Sequence, residues 1–239
     1  MRFSFANNVD PNSWASRMRR GRLAQFLELI PQGGNCTNIL DVGGTEKFWT
    51  SVWNEHCQKL SITLLNLTAA PVCGELPIRS LAGDARDLSR FHAAEFDLCF
   101  SNSVIEHVGT LADQRAMASE VQRVAKGYFI QTPYRYFPLE PHFHVPGWAQ
   151  MPVWCRTALH QRMNLGWFSA EPDYMKARID VEQIRLLSGR EFRSLFPDAE
   201  IRLEKIGPLV KSMIAVRPTA TRSSQLERGF QPLVSATGA

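Results

Sequence analysis

Long apolar runs are missing from this sequence. None approaches the roughly 20 residues that a membrane span needs, so no transmembrane segment is expected. The N-terminal stretch carries arginines but no apolar core of the kind a secretory leader uses. Cysteine is sparse and patternless: Cys36, Cys57, Cys73, Cys99 and Cys155 make an odd set with no C-x-x-C. That argues against a disulfide framework or a local zinc knuckle and points to a reduced, cytoplasmic protein, with Cys99 as a core residue. A strong excess of charge is also lacking, with 27 basic against 23 acidic residues. The imbalance is local. Residues 1–22 hold Arg2, Arg17, Arg19, Arg20 and Arg22 against Asp10, and the rest balances at 22 of each sign. Such a tip is a solvated helix face or a contact for an anionic substrate or membrane surface. Alone it does not call for nucleic acid, and no nucleic-acid partner is expected.

What is present is an alternation of strand and helix patterns. With 44% hydrophobic residues the 239-residue chain can bury a large core. Strands are expected at 38–42, 61–67, 78–85, 96–102 and 127–133, with helices at 46–59 and 111–125 between them. Asn12-Ser13 can cap a first helix that Pro31-Gln-Gly-Gly stops, with Leu23, Phe26, Leu27 and Ile30 on a core stripe and Trp14 and Met18 on another side. Asp180 with Gln183 reads as a capping pair for a helix over 181–195. Strands at 200–207 and 210–217 form a closing hairpin around Gly207-Pro208. There is no internal repeat, and the Ser/Thr-rich end reads as a tail. The fold class is α/β: a doubly wound, Rossmann-like, seven-stranded sheet, mostly parallel, with a C-terminal antiparallel hairpin. One domain spans 1–217, with an N-terminal helical cap over 1–31, an insertion over 133–175 and a tail over 218–239.

In such a sheet the ligand crevice lies beyond the carboxyl ends of the strands. The first strand ends in "ILDVGG", where Gly43 and Gly44 permit a tight turn and close approach of a ligand. A third glycine is lacking, since Thr45, Glu46 and Lys47 follow. The corner is therefore neither the dinucleotide G-x-G-x-x-G nor a P-loop. Asn66 at the second strand end can bond hydroxyls or form a turn. Asp84, in "GDARDL", can accept from an exocyclic amine or cap a turn.

These segments, followed in order by "FDLCFSNSVIEHVG" at 96–109, resemble the class I S-adenosylmethionine-dependent methyltransferases, in the broad branch that carries IEHV after the fourth strand. The resemblance covers residues 38 to about 133. It implies S-adenosyl-L-methionine as cofactor, with Asp41, Gly43 and Gly44 facing its methionine part. It places Asn66 at the ribose, Asp84 and Ala85 at the adenine and Asn102 beneath the methionine. Ser103, Glu106 and His107 would line the start of the next helix. This chain departs from the family pattern at the missing third glycine and at Asn66, where the family is usually acidic.

The acceptor is expected against the Pro/aromatic insertion, whose length exceeds an ordinary loop. Methyl transfer to a hydroxyl needs orientation and a base. His142 is the first choice for that base, with Glu140 orienting it or acting itself and His107 as rival. His142-x-His144 has no third or fourth ligand at metal spacing, so no metal is expected. The acceptor is read as a small molecule or a sugar- or lipid-linked compound, methylated on oxygen in a biosynthetic pathway. The nucleic-acid N-methylation signature after the fourth strand is absent. A homodimer is allowed. The alternative is a non-catalytic cofactor-binding partner of another methyltransferase.

Overall fold

The computed structural model describes residues 14–30, 36–53 and 57–219. The Asn12-Ser13 cap, the 31–34 stop signal, Arg2 and the tail from 220 lie outside them.

Seven strands form one sheet: β1 (Thr37–Val42), β2 (Leu60–Asn66), β3 (Ile78–Ala82), β4 (Phe96–Asn102), β5 (Ala125–Pro133), β6 (Glu200–Ile206) and β7 (Leu209–Arg217). Their order is β3-β2-β1-β4-β5-β7-β6. The first five run parallel, while β7 lies antiparallel between β5 and β6. The parallel strands carry continuous apolar runs because helices cover both faces. On one face α3 (Leu111–Val124) and α6 (Gly189–Leu195) bring Met117, Val121 and Phe192 onto Cys99 and Tyr128. On the other, α1 (Trp14–Leu27) and α2 (Glu46–Val52) bring Phe26 and Trp49 onto Phe100 and Phe129. Leu23 and Phe26 are buried, as the core stripe of α1 requires, and Cys99 is wholly buried.

Several boundaries differ from the sequence expectation. The helix after β1 stops at Val52, and β3 ends at Ala82 rather than 85. The helix expected over 181–195 is two helices. α5 (Tyr174–Glu182) is capped by Asp173, and α6 is capped by a reciprocal Ser188–Glu191 box. Asp180 is not a cap: its carboxylate meets His160 Nε2 at 3.0 Å and pins α5 to α4 (Val153–His160). The break between α5 and α6 has a packing cause. Ile184, Leu186 and Val181 seal a separate apolar cluster with Phe143, Trp148 and Leu165. The aromatic segment thus closes at Leu187, which pairs with Tyr134.

The switch point of the sheet lies between β1 and β4. Arg22 of α1 crosses toward it, 5% exposed, and is therefore no part of a solvated basic tip. Its Nη2 lies 2.7 Å from Glu204 Oε2, and its Nη1 donates to Asn102 Oδ1 at 2.8 Å. One buried guanidinium so ties the first helix to the end of β4 and to β6.

Candidate functional site

The corner after β1 shows why two glycines are needed and why a third is not. Gly43 has φ +77°, a left-handed conformation, and a Cβ there would stand 2.3 Å from Val104 Cγ2. A Cβ on Gly44 would fall 1.8 Å from Asp41 Oδ2, because the Asp41 carboxylate curls back over that backbone. Trp49 Nε1 holds this carboxylate at 2.7 Å. Thr45 replaces a glycine to useful effect: its Oγ1 accepts from Phe48 N and caps α2. Asp41 is 1% exposed, and burial pushes its pKa up to about 7 despite the Trp49 hydrogen bond.

The neighbouring strand ends are tied to this corner. Asn66 Nδ2 donates to Gly44 O at 2.9 Å, fixing the side chain with its Oδ1 left over. Asp84 is gripped by Arg86, whose Nη2 lies 2.6 Å from Oδ2 and whose Nη1 reaches Asp113 at 3.1 Å. Arg86 N also donates to Asp84 Oδ1, so Asp84 organises its own turn, and Ala85 beside it is buried. Asn102 spends its Oδ1 on Arg22. Ser103, at φ 58°, donates to Gln131 Oε1.

The second half of the site is a cluster of acids and imidazoles from two distant segments. Glu106 and His107 sit on a 3-10 turn over Ile105–His107, ahead of α3 rather than within it. Glu140 and His142 come from the insertion. Glu140 is 3% exposed; its Oε2 accepts from the backbone N–H groups of His142 and Phe143, and its Oε1 lies 2.6 Å from His142 Nδ1. The carboxylate therefore holds the proton on Nδ1 and leaves Nε2 as the free lone pair. Burial opposes charge on His142, but the Glu140 hydrogen bond and the charges of Glu140 and Glu106 outweigh it and raise the pKa. The His107 ring meets His142 edge to face, centroids 4.8 Å apart. Loss of solvent around the ring and the charge of His142 lower the His107 pKa to about 4. Behind them Glu106 is fully buried. Thr132 Oγ1, at the end of β5, donates to its Oε2 at 3.0 Å, while Oε1 has no partner among the described residues. Burial pushes its pKa up to about 7.

The three residues proposed for chemistry from sequence, His142, Glu140 and His107, are thus brought together. His144 is not among them; it is exposed and faces Trp167. The His142-x-His144 spacing shows no further ligand, and the fold brings two from elsewhere in the chain: ligand atoms of Glu106, His107 and His142 lie within 4.8 Å of one another. Sequence spacing hides this because α3, β5 and the turn after it lie between His107 and His142 in the chain. Reading the sequence also missed Trp49, Thr132 and Arg22, which carry no motif. It missed a cavity of about 140 Å³ behind Glu140, lined by Arg135, Trp148, Arg156, Arg185 and Leu186. Arg185 is engaged by Gln114 and Glu191, whereas Arg156 Nε is buried without a partner among the described residues.

Residues 40–130 match the family model described as a methyltransferase domain. Over that stretch this chain is similar to the methyltransferase domains of that family. Domains of this family use S-adenosylmethionine. Two uncharacterized proteins from strains of Mycobacterium tuberculosis share 33% identity with it over 66 residues, 28% of this chain. The match spans only 22% of their length. A crystal structure of a Pyrococcus horikoshii protein aligns with a TM-score of 0.50 at 14% identity, over 88% of this chain and 97% of the other, which shows a common fold. A structure of a SAM-dependent methyltransferase from Methanosarcina mazei aligns with a TM-score of 0.46 at 12% identity, over 78% and 93% of the two chains. The methyltransferase domain fits its cofactor chemically. The strand ends offer acceptors (Asp41, the Asn66 amide oxygen, Asp84) suited to an ammonium and ribose hydroxyls, and the corner lacks a phosphate nest.

Proposed function

We propose that this chain is a methyltransferase that moves the methyl group of S-adenosylmethionine to an oxygen of a small-molecule, sugar- or lipid-linked acceptor. The observation that carries the reading is the Glu140–His142 pair set beside His107 and Glu106, at the carboxyl ends of the strands that form the glycine corner. When bound, the cofactor supplies an electrophilic methyl group on a sulfonium. The chain supplies position and proton handling. Asp41, Gly43, Gly44 and Asn66 cradle the donor, with Asp84, Ala85 and Asn102 along its length. His142 Nε2 takes the acceptor's proton while Glu140 orients the ring and stabilises its charge. The roof over this half is the aromatic insertion, whose Phe143, Trp148 and Phe168 stack on one another. The arginines of the cavity behind Glu140 favour an acceptor bearing a carboxylate or phosphate, as a phosphate-linked lipid or sugar would. A non-catalytic partner role would leave the clustered imidazoles and acids without a use.

The test is calorimetric titration with S-adenosylmethionine and S-adenosylhomocysteine, with NADH as control. Micromolar binding of the first two alone supports the reading. Binding of neither, or of NADH instead, sinks it.

A further inference from the structure

Glu106 poses a problem that a proton acceptor alone does not solve. Its carboxyl is fully buried, one oxygen is bonded to Thr132, and the other has no partner among the described residues. A bare buried carboxylate oxygen is costly. Two imidazoles stand in front of it. His142 is aligned by Glu140 so that its Nε2 is the free atom, and a carboxylate behind an imidazole is the arrangement that orients a metal-binding histidine and raises its basicity. His107 contributes the second ring from the turn that carries Glu106. The three ligand atoms lie within 4.8 Å of one another. Ligands bonded at roughly 2.1 Å to one cation stand roughly 3–3.5 Å apart, so modest side-chain rotations close the set.

We propose that Glu106, His107 and His142 hold a divalent first-row transition-metal cation at the acceptor end of the crevice. Two imidazoles and one carboxylate suit iron(II), cobalt, zinc or manganese better than magnesium or calcium. Three protein ligands leave coordination positions open, which is the mark of a cation that meets a substrate. Glu140 is then a positioning residue. The inference rests on the proposed function only in placing the acceptor here, and it changes how the acceptor's proton leaves. A hydroxyl bound to the cation is acidified, its O–H bond breaks with the electron pair kept on oxygen, and the proton passes to solvent water. No oxidation or reduction is involved. His142 gives its lone pair to the cation instead of to the proton.

The experiment is Co²⁺ titration of the chelator-treated full chain, followed by visible absorption and by metal analysis after desalting. S-adenosylhomocysteine is titrated into the same samples. The expected result is one Co²⁺ per chain with the spectrum of imidazole ligation. Glu106→Gln and His142→Ala should abolish it. Glu140→Gln should weaken it roughly 10–100-fold, and His144→Ala should leave it unchanged. Unchanged S-adenosylhomocysteine affinity and circular dichroism in the variants show that they are folded. No Co²⁺ uptake by the wild type, or uptake indifferent to Glu106→Gln and His142→Ala, overturns the inference. Binding of S-adenosylhomocysteine without Co²⁺ overturns the cation and leaves methyl transfer standing. Co²⁺ binding without S-adenosylhomocysteine binding keeps the cation and overturns methyl transfer.

Discussion

The two halves of the crevice handle their polar groups in opposite ways. Around the glycine corner nearly every group is bonded within the protein: Asp41 to Trp49, Asn66 to Gly44, Asp84 to Arg86, Asn102 to Arg22. Across the crevice Glu106 keeps an oxygen with no partner among the described residues, and Glu140 holds His142 by Nδ1, which turns Nε2 outward. The self-bonded half holds its shape and offers leftover lone pairs, which suits a ligand recognised by contour. The half with unmet valences is kept ready for chemistry, at a cost in stability that the surrounding core offsets.

The sharpest way to break this contrast is His142→Ala. Turnover should fall about 10³-fold, within the usual range for a lost proton-handling group, with S-adenosylhomocysteine affinity nearly unchanged. Steady-state kinetics beside calorimetry read both numbers. Unchanged turnover would move the role to His107 or Glu140. Gly43→Val attacks the other half. The added side chain meets Val104 in a left-handed backbone, so cofactor affinity should drop at least ~100-fold while circular dichroism keeps the α/β signature. Retained affinity would put the cradle elsewhere.

Arg22→Met asks whether the link between α1 and the sheet is structural. It strands Glu204 at a nearly buried site, and urea unfolding should show a loss of about 3 kcal/mol. The smallest effect is a pH dependence. Glu106 and Asp41 both have pKa values raised in the fold, to about 7 each, from 4.5 and 3.8. The fold therefore binds more protons than the unfolded chain across that interval, and stability falls as pH rises from about 4 to about 7, then levels off. Glu106→Gln should flatten part of that fall, by about 3 kcal/mol at most between the two ends, which is no more than about 1.4 kcal/mol per pH unit. Thermal unfolding across this range checks it, and an equal slope in the variant would show that Glu106 is ionised throughout.

Much of this architecture is legible in the residue pattern. Runs such as "NILDV" and "FDLCFSN" are apolar on both sides, which only a covered parallel strand requires, and the Gly207-Pro208 turn marks the final hairpin. Over 181–195 the pattern around Asp180 imitates a helix cap, while Ile184 and Leu186, sealing the insertion, accompany the break after Glu182. Asp84 shows the same ambiguity: its position at a strand end suggests a ligand, and in the fold Arg86 holds it.

No helix among the described residues is long and apolar enough to cross a membrane. The sequence by itself determined the sheet, the position of the crevice and the residue types at each strand end, because those follow from local periodicity and from glycine's backbone freedom. Only the tertiary structure decided which of those groups are already bonded and which are not. Asp41 meets Trp49 across one helical turn, Arg22 reaches Asn102 from another layer, and His107 meets His142 across the turn after β5. Each of these pairings depends on how layers pack, and packing distance is not encoded in sequence spacing.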